Sequence, residues 1–329
     1  MTALAPTLEA YFMQRLIGQR QASPNTVAAY RDAWRLLLGY AAHHVGKQPH
    51  QLDIADLDAT VIGEFLQHLE SQRRNSVRTR NARLAAIRSF FAFAALRHPE
   101  HAELIARVLA IPTRRCDRAI VTYLDDKEAD ALVAAPDRSR WSGRRDHALL
   151  VVALQTGLRV SELTGLRNQD VELRTGPHVR CWGKGRKQRA TPIRPQTVSV
   201  LRTWMKERAG RPEDPLFPTS RGTPLSRDAV AARVAKHTAT AARHQKSLAN
   251  KRVTPHVARH SCAMALLRAG VDRAVLALWL GHEQVKTTDI YTHADLTIKQ
   301  QALARTTPPN VRPGRYRPPD RLLAFLQQL

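Results

Sequence analysis

Apolar positions recur at helical spacing through the first third of the chain. Ser23-Pro24 predicts a helix start, because a serine side chain accepts from early backbone N–H groups and proline suits the first turn. The apolar and aromatic positions that follow at helical spacing are Tyr30, Trp34, Leu37, Leu38 and Ala41. A second helix is predicted over 57–69, and a third from 76 to about 96. The third helix directs these residues to a core: Leu84, Ile87, Phe90, Phe91 and Phe93.

The opposite face of this third helix is basic. It carries Arg78, Arg80, Arg83 and Arg88. A solvated helix face is the ordinary explanation of such a pattern. The whole chain, however, has 52 Lys and Arg against 28 Asp and Glu, a formal charge of +24. This excess favours a polyanionic partner, and it is spread through helical sequence rather than gathered in one cluster as for a membrane surface. We therefore expect these arginines to contact DNA.

The helical pattern stops at Pro112, and a short basic stretch follows. A chain of 329 residues is long for one core, so we expect two domains. The predicted division is a helical domain over 1–112, a second domain over 118–305, and a proline-rich tail over 306–329 that ends in a short apolar segment.

The second domain is also predicted to be mostly helical. Asp125-Asp126 predicts a helix start, and an apolar helix over 146–155 ends at Gly157. Two strands, His178–Trp182 and 188–193, flank a Gly-Lys-Gly turn and predict a basic β-hairpin. Further helices are predicted over 196–208, 226–242, 255–269 and 273–280. The predicted fold class is therefore mainly α with a small β-hairpin or sheet.

Four segments of the second domain carry groups suited to phosphate chemistry. They are Thr156-Gly157-Leu158-Arg159-Val160-Ser161-Glu162-Leu163, Gly183-Lys184-Gly185-Arg186-Lys187, His256-Val257-Ala258-Arg259-His260, and the run from Leu280 to His293 that contains His282 and Tyr291. His256 and Arg259 are three residues apart on a predicted helix, so they share a face. Each residue alone has an ordinary structural explanation; the ordered set indicates an active site.

Taken in this order, the four segments resemble the active-site motifs of the tyrosine recombinases, the phage-integrase and Xer-type enzymes that cut and rejoin DNA. The match covers about residues 120–295, and the helical N-terminal part resembles the family's core-binding domain more loosely. Val257 and Ala258 depart from the family, in which a leucine usually precedes the arginine. This departure concerns packing rather than chemistry.

The resemblance implies a role for each matching residue. Tyr291 would be the nucleophile, and Arg159 and Arg259 would bind the scissile phosphate. Lys184 would protonate the leaving 5′-oxygen, with Lys187 as the alternative general acid. His256 would relay the tyrosine proton, His282 would donate to the phosphate, and Glu162 would orient the cationic groups. Arg186 and Arg189, on the basic hairpin, are predicted to contact DNA.

The sequence argues against other kinds of site. His256 and His260 have metal-binding spacing, but Val257 stands where the zinc motif requires glutamate. Lys184 is followed by glycine rather than Ser or Thr, so a P-loop is not supported. The widely separated Cys116, Cys181 and Cys262 indicate neither disulfides nor a zinc site. We expect no cofactor, no membrane segment and a cytoplasmic, nucleoid-associated protein.

These inferences combine into one functional prediction. The protein would be a two-domain DNA clamp that exchanges strands of double-stranded DNA through a 3′-phosphotyrosyl link and a Holliday junction. By resemblance it would act as a homotetramer on two DNA sites, or together with related recombinases. A DNA-binding accessory protein of the same fold that does not cut, and a type IB topoisomerase, are the alternatives.

Overall fold

The chain separates into two structural units, Met1–Arg118 and Ala119–Leu329. The structure, a computed structural model, describes residues 4–116, 121–183 and 188–281. None of the helices in these three ranges is both long enough and apolar enough to span a bilayer.

The first unit is helical in its described part. Its helices are α1 (Leu4–Ala10), which continues as a π-helix (Tyr11–Gln19), α2 (Pro24–Val45), α3 (Ala59–Ser71), α4 (Val77–Ala94) and α5 (Ala102–Ala110). Short 3₁₀ turns cover Pro49–Gln51, Ile54–Asp56 and Pro99–His101.

Side-chain caps set where these helices begin. The hydroxyls of Ser23 and Ser76 accept from backbone N–H groups in the first turns of α2 and α4. Both predicted starts are therefore confirmed. The second helix begins two residues later than expected, because Asp58 is its cap and accepts from the Val61 amide.

The core of the first unit forms where α2, α3 and α4 pack together. The Trp34 and Phe90 rings meet edge to face with centroids 4.5 Å apart. Every residue predicted to face the core from α4 is buried. On α2, Trp34, Leu37 and Ala41 are buried, whereas Tyr30 and Leu38 are partly exposed.

The predicted arginine face of α4 is only partly exposed. Arg78 is exposed and Arg83 and Arg88 are half-buried. The prediction is wrong for Arg80, whose residue is only 6% exposed and whose guanidinium donates to Asn81 Oδ1 and to the Pro112 carbonyl, both at 3.1 Å. The chain that follows α5 crosses α4 at this point, and no local pattern in the sequence shows that crossing.

The second unit is helical with one small sheet in its described part. Its elements are α6 (Asp126–Ala134), α7 (Trp141–Thr156), α8 (Val160–Gly165), β1 (Val171–Glu172), β2 (His178–Trp182), β3 (Gln188–Pro192), α9 (Pro195–Arg208), α10 (Arg227–Ala241), α11 (Pro255–Arg268) and α12 (Arg273–Leu280). Short 3₁₀ turns cover Asn168–Asp170 and Lys246–Asn250.

Helix α7 begins at Trp141, five residues before the predicted start at 146. Its first turns contain buried charged residues in place of apolar ones. The helical spacing of apolar residues therefore does not extend to this part of the helix in the sequence. The Arg145 guanidinium donates to Asp146 Oδ1 at 3.0 and 2.7 Å, and His237 Nε2 lies 2.9 Å from Asp146 Oδ2. Burial opposes ionisation of Asp146, but these hydrogen bonds hold its pKa below the usual value.

The predicted hairpin is confirmed, and it belongs to a three-stranded antiparallel sheet with the order β1-β2-β3. The strand β1 was not predicted, because two residues are too few to show a period. In the hairpin Cys181 pairs with Arg189 and Arg180 pairs with Ala190. Cys181 is buried and Arg180 is exposed, as alternation along a strand requires.

Candidate active site

Arg159 lies where α7 gives way to α8. Gly157 ends α7 in the left-handed conformation, with φ +63°, and Arg159 is the N-cap residue of α8. The Arg159 side chain donates through Nη1 to Glu162 Oε1 at 2.9 Å and through Nη2 to the Gly281 carbonyl at 3.1 Å. The side chain remains 29% exposed, so a fixed guanidinium still reaches solvent.

Glu162 is a buried carboxylate that accepts four hydrogen bonds. Its Oε1 accepts from Arg159 Nη1 and Arg189 Nη1, each at 2.9 Å. Its Oε2 accepts from the Arg159 amide at 2.7 Å and from Arg189 Nη2 at 2.9 Å. Burial would raise the pKa of Glu162, but the hydrogen bonds from Arg189 and Arg159 hold it below the usual value. Glu162 is therefore ionised at neutral pH.

Arg259 is buried on α11, where the ends of two other helices meet it. Its Nη1 donates to the Gly157 carbonyl at the end of α7, at 2.6 Å. Its Nη2 donates to the Leu280 carbonyl at the end of α12, at 2.7 Å. Helix C-termini carry partial negative charge, so both ends stabilise the guanidinium. Leu280 and Gly281 are consecutive, so the end of α12 binds both Arg259 and Arg159.

The two histidines of α11 lie in different surroundings from Arg259. His256 is exposed in the first turn of the helix, whose cap is Thr254. Its ring stacks on that of His260 with centroids 6.0 Å apart and an interplanar angle of 16°. Burial, together with the charges of His256 and Arg259, lowers the pKa of His260 to about 4.

The cysteines near the arginines are structural. Burial raises the pKa of Cys262 to about 12 and that of Cys181 to about 11, so both thiols are protonated at neutral pH. Cys262 Sγ donates to the Gln155 carbonyl near the end of α7. Among the described residues, no three His, Cys, Asp or Glu side chains are grouped so that they could hold a metal ion.

Comparison with known families identifies this arrangement. Residues 122–297 match the model of the phage integrase family, and residues 10–98 match that of the phage integrase N-terminal SAM-like domain. The chain is a tyrosine recombinase of the phage integrase family. It therefore cleaves and rejoins DNA at specific sites, as the four sequence segments predicted.

Relatives match the recombinase over nearly its full length. The Sinorhizobium fredii protein y4rC, which is named as an integrase/recombinase, is 53% identical to this chain. The aligned region covers 99% of this chain and 98% of y4rC. Tyrosine recombinase XerC of Pelobacter propionicus is 34% identical and covers 87% of this chain and 90% of its own.

Solved structures share the fold of the recombinase. XerH in a post-cleavage complex with a palindromic difH substrate gives a TM-score of 0.69 at 22% identity, over 87% of this chain and 81% of that one. A lambda integrase dimer bound to a COC′ core site gives 0.62 at 17% identity, over 87% and 97%. The predicted mainly helical fold, with a helical N-terminal domain and a catalytic domain, is confirmed.

The structure brings some predicted site residues of the recombinase together. Arg159, Glu162 and Arg189 share one ion cluster, and Arg259 contacts the same helix end as Arg159. The predicted residues outside the described part of the chain are Lys184, Arg186, Lys187, His282 and Tyr291. The proline-rich tail over 306–329 is also outside it.

Arg189 differs from its prediction. It was expected to contact DNA, but its side chain is 12% exposed and both terminal nitrogens donate to Glu162. A signal for this was present in the sequence. Two-residue spacing along β3 places Arg189 on the same face as Thr191, and the structure shows that Thr191 is buried. The anchoring carbonyls of Gly157, Leu280 and Gly281 left no such signal.

Proposed function

We propose that Tyr291 attacks a phosphodiester held by Arg159 and Arg259, forming a 3′-phosphotyrosyl link and releasing a 5′-hydroxyl. The observation that supports this proposal is the common anchor of the two guanidiniums on the carbonyls of Leu280 and Gly281. The segment that carries Tyr291 follows this anchor directly along the chain. Folding of α12 against α7 and α11 would thus fix both cations before DNA arrives.

Two guanidiniums suit the charge that develops in the reaction. A phosphodiester repels nucleophiles, and its pentacovalent transition state carries further negative charge on the non-bridging oxygens. Fixed, partly dehydrated guanidiniums stabilise that charge with paired hydrogen bonds and without reorganisation. Loss of Arg159 or Arg259 is expected to lower the cleavage rate on the order of 10²-fold or more.

Proton transfer would be divided among residues on either side of the phosphate. His256 would accept the proton of the Tyr291 hydroxyl as its oxygen bonds to phosphorus. Lys184, or Lys187 in its place, would protonate the 5′-oxygen as the P–O5′ bond breaks. His282 would donate a hydrogen bond to the phosphate. The phosphotyrosyl link conserves the energy of the broken bond, so religation needs no cofactor.

At the level of assembly, we propose that the recombinase exchanges strands between two double-stranded DNA sites through a Holliday junction. Four identical or related subunits would bind the two sites, and the tail over 306–329 would dock on a neighbouring subunit. The 1–112 and 118–305 domains would clamp the DNA, with Arg78, Arg83, Arg88 and Arg186 as phosphate contacts. Relatives solved with DNA, including a lambda integrase dimer on a core site, support this proposal. We propose that the enzyme acts on this DNA in the cytoplasm, in association with the nucleoid.

A covalent-trapping experiment tests the nucleophile. Nicked duplexes drawn from the DNA flanking the gene serve as suicide substrates, because loss of the short fragment beyond the nick prevents religation. Wild type and Tyr291→Phe are compared by denaturing gel in the presence of a chelator. Tyr123→Phe is the matched control; it removes a hydroxyl from a tyrosine whose ring lies under Arg268.

We expect an adduct with wild type and with Tyr123→Phe, and none with Tyr291→Phe. An adduct that persists in Tyr291→Phe would overturn the assignment of the nucleophile. A wild type that shifts the DNA on native gels without forming any adduct would contradict the proposed chemistry for those sites.

A further inference from the structure

Arg189 is bound to the candidate active site rather than presented to solvent. Its side chain is 12% exposed, and its two terminal nitrogens donate to the two oxygens of Glu162, each at 2.9 Å. This parallel pair of charge-assisted bonds uses the planar fork that only arginine provides. Arg189 therefore has little capacity left for a DNA phosphate.

The carboxylate that Arg189 binds is the one that orients Arg159. Glu162 is buried, with a side-chain exposure of 3%, and each of its oxygens accepts once from Arg159 and once from Arg189. Two guanidiniums around one carboxylate leave the cluster with a net positive charge. With Arg159 alone, Glu162 would neutralise the guanidinium that must bind the phosphate. Arg189 supplies the balancing charge.

Arg189 also packs against the backbone that anchors Arg159. A Cβ atom on Gly281 would lie 2.7 Å from Arg189 Nη1, so in its present position the guanidinium occupies space that glycine leaves open. Gly281 has φ +64°, and its carbonyl accepts from Arg159 Nη2 at 3.1 Å. Arg189 therefore contacts both groups that hold Arg159 in place, the Glu162 carboxylate and the end of α12.

From these contacts we propose that Arg189 is a positioning residue of the recombinase: by binding Glu162 it holds Arg159 in its orientation and keeps the net charge of the Arg159–Glu162–Arg189 cluster positive. Arg189 follows the 184–187 segment directly along the chain. The same salt bridge thus ties β3 to the phosphate-binding arginine. This inference rests on the proposed role of Arg159 in binding the scissile phosphate.

The test compares Arg189→Gln, Arg189→Lys, Glu162→Gln and the double variant Arg189→Gln/Glu162→Gln. Arg180→Gln is the matched control, since it removes an exposed arginine from the outward face of the same hairpin. Single-turnover cleavage at saturating DNA, DNA affinity against salt, and the melting temperature are measured for each variant.

For Arg189→Gln we expect cleavage to slow by about 10²-fold, the cost of a misplaced catalytic group. The dissociation constant for DNA should change by less than about threefold and the salt slope should not change, because no phosphate contact is lost.

Arg189→Lys should restore little of the rate, since an ammonium cannot bind both carboxylate oxygens in parallel. The double variant should be no slower than the slower single variant. Arg180→Gln should cleave within about twofold of wild type.

Several results would overturn the proposal. One is normal cleavage of Arg189→Gln at saturating DNA with weaker binding and a lower salt slope, which would make Arg189 a DNA contact. Another is rate effects of Arg189→Gln and Glu162→Gln that multiply in the double variant.

Melting temperatures test the contact without any activity. Arg189→Gln leaves a poorly compensated buried carboxylate and should melt several degrees lower, and Glu162→Gln in the same chain should recover part of the loss. Melting losses that simply add would refute the coupling even if wild type failed to cleave. Failure of wild type to cleave, with coupled melting losses, would instead contradict the proposed function alone.

Discussion

His260 is a half-buried histidine beside Arg259 on α11, and its pKa lies well below the usual value. Burial, with the neighbouring charges of His256 and Arg259 acting in the same direction, lowers this pKa to about 4. A histidine in an unfolded chain titrates near ~6.5. Between these two values the unfolded state binds a proton that the folded state does not. Stability is therefore lost as the pH falls from about 6.5 towards about 4.

Acid sensitivity of the fold should report this histidine. We expect the melting temperature of wild type to fall between about pH 7 and about pH 5, and His260→Gln to show a smaller fall because it removes the titrating ring. Calorimetry at the two pH values on both proteins measures the difference. Equal falls in the two proteins would show that other groups cause the acid sensitivity.

Among secondary-structure elements, the ends of α7 and α12 determine the geometry of the arginines. Gly157 ends α7 and Gly281 ends α12, both in the left-handed conformation. The carbonyls at these two ends bind the guanidiniums of Arg259 and Arg159. Trp279 strengthens the junction by donating from Nε1 to the Thr156 carbonyl at 3.2 Å. The helix ends act as hydrogen-bond acceptors for the site, in addition to ending the helices.

A methyl group at Gly157 should disturb this junction. Its Cβ would lie 2.9 Å from Leu280 Cδ2 and 3.1 Å from Cys262 Sγ, and both side chains are buried. Gly157→Ala should therefore destabilise the fold by about 1 kcal/mol for the left-handed backbone, plus at least about 1 kcal/mol for overpacking. The cleavage rate should also fall, because the Gly157 carbonyl binds Arg259.

Gly270→Ala provides the comparison for this substitution. Gly270 also has a positive φ, of +83°, but a Cβ atom there would meet nothing within 4 Å. Its cost should be about 1 kcal/mol, from backbone strain alone. Urea unfolding of the two variants measures both values. Equal losses would show that the helix junction accommodates a methyl group freely.

For the whole molecule, the dominant property is charge. The formal charge is +24, so pairing every acidic side chain with a basic one would still leave a large excess of positive charge. Binding to DNA releases the counterions condensed on the phosphates, so affinity depends on salt in proportion to the number of phosphate contacts. The arginines that contribute to this term are those whose guanidiniums remain exposed.

Salt dependence should separate two arginines of α4. DNA affinity of wild type should fall by about 10³-fold or more between about 50 and about 200 mM salt. Arg78 is exposed, so Arg78→Gln should lower the log–log salt slope by about one unit with the fold intact. Arg80 is buried and bonded to the Pro112 carbonyl, so Arg80→Gln should lower the melting temperature and leave the slope unchanged. DNA titrations at several salt concentrations, together with melting curves, distinguish the two variants. If Arg78→Gln and Arg80→Gln lowered the salt slope equally, Arg80 would also contact DNA.

The sequence by itself determined the local structure and the chemical type of the protein. Ser23, Ser76 and Thr254 cap their helices through contacts within one turn, so their positions follow from neighbouring residues alone. The helical period of α4 likewise identified its core face. The ordered motifs around Arg159 and Arg259 resemble those of the tyrosine recombinases, and the family match confirms the prediction made from them.

Only the tertiary structure decided the partner of each arginine. Arg78 and Arg80 are alike in sequence, yet one is exposed and the other binds a carbonyl distant along the chain. Arg189 likewise binds Glu162 on another element. Caps and periods depend on neighbours within a few residues. A guanidinium, by contrast, bonds to whichever acceptor the folded chain places beside it, and the packing of distant segments determines that acceptor.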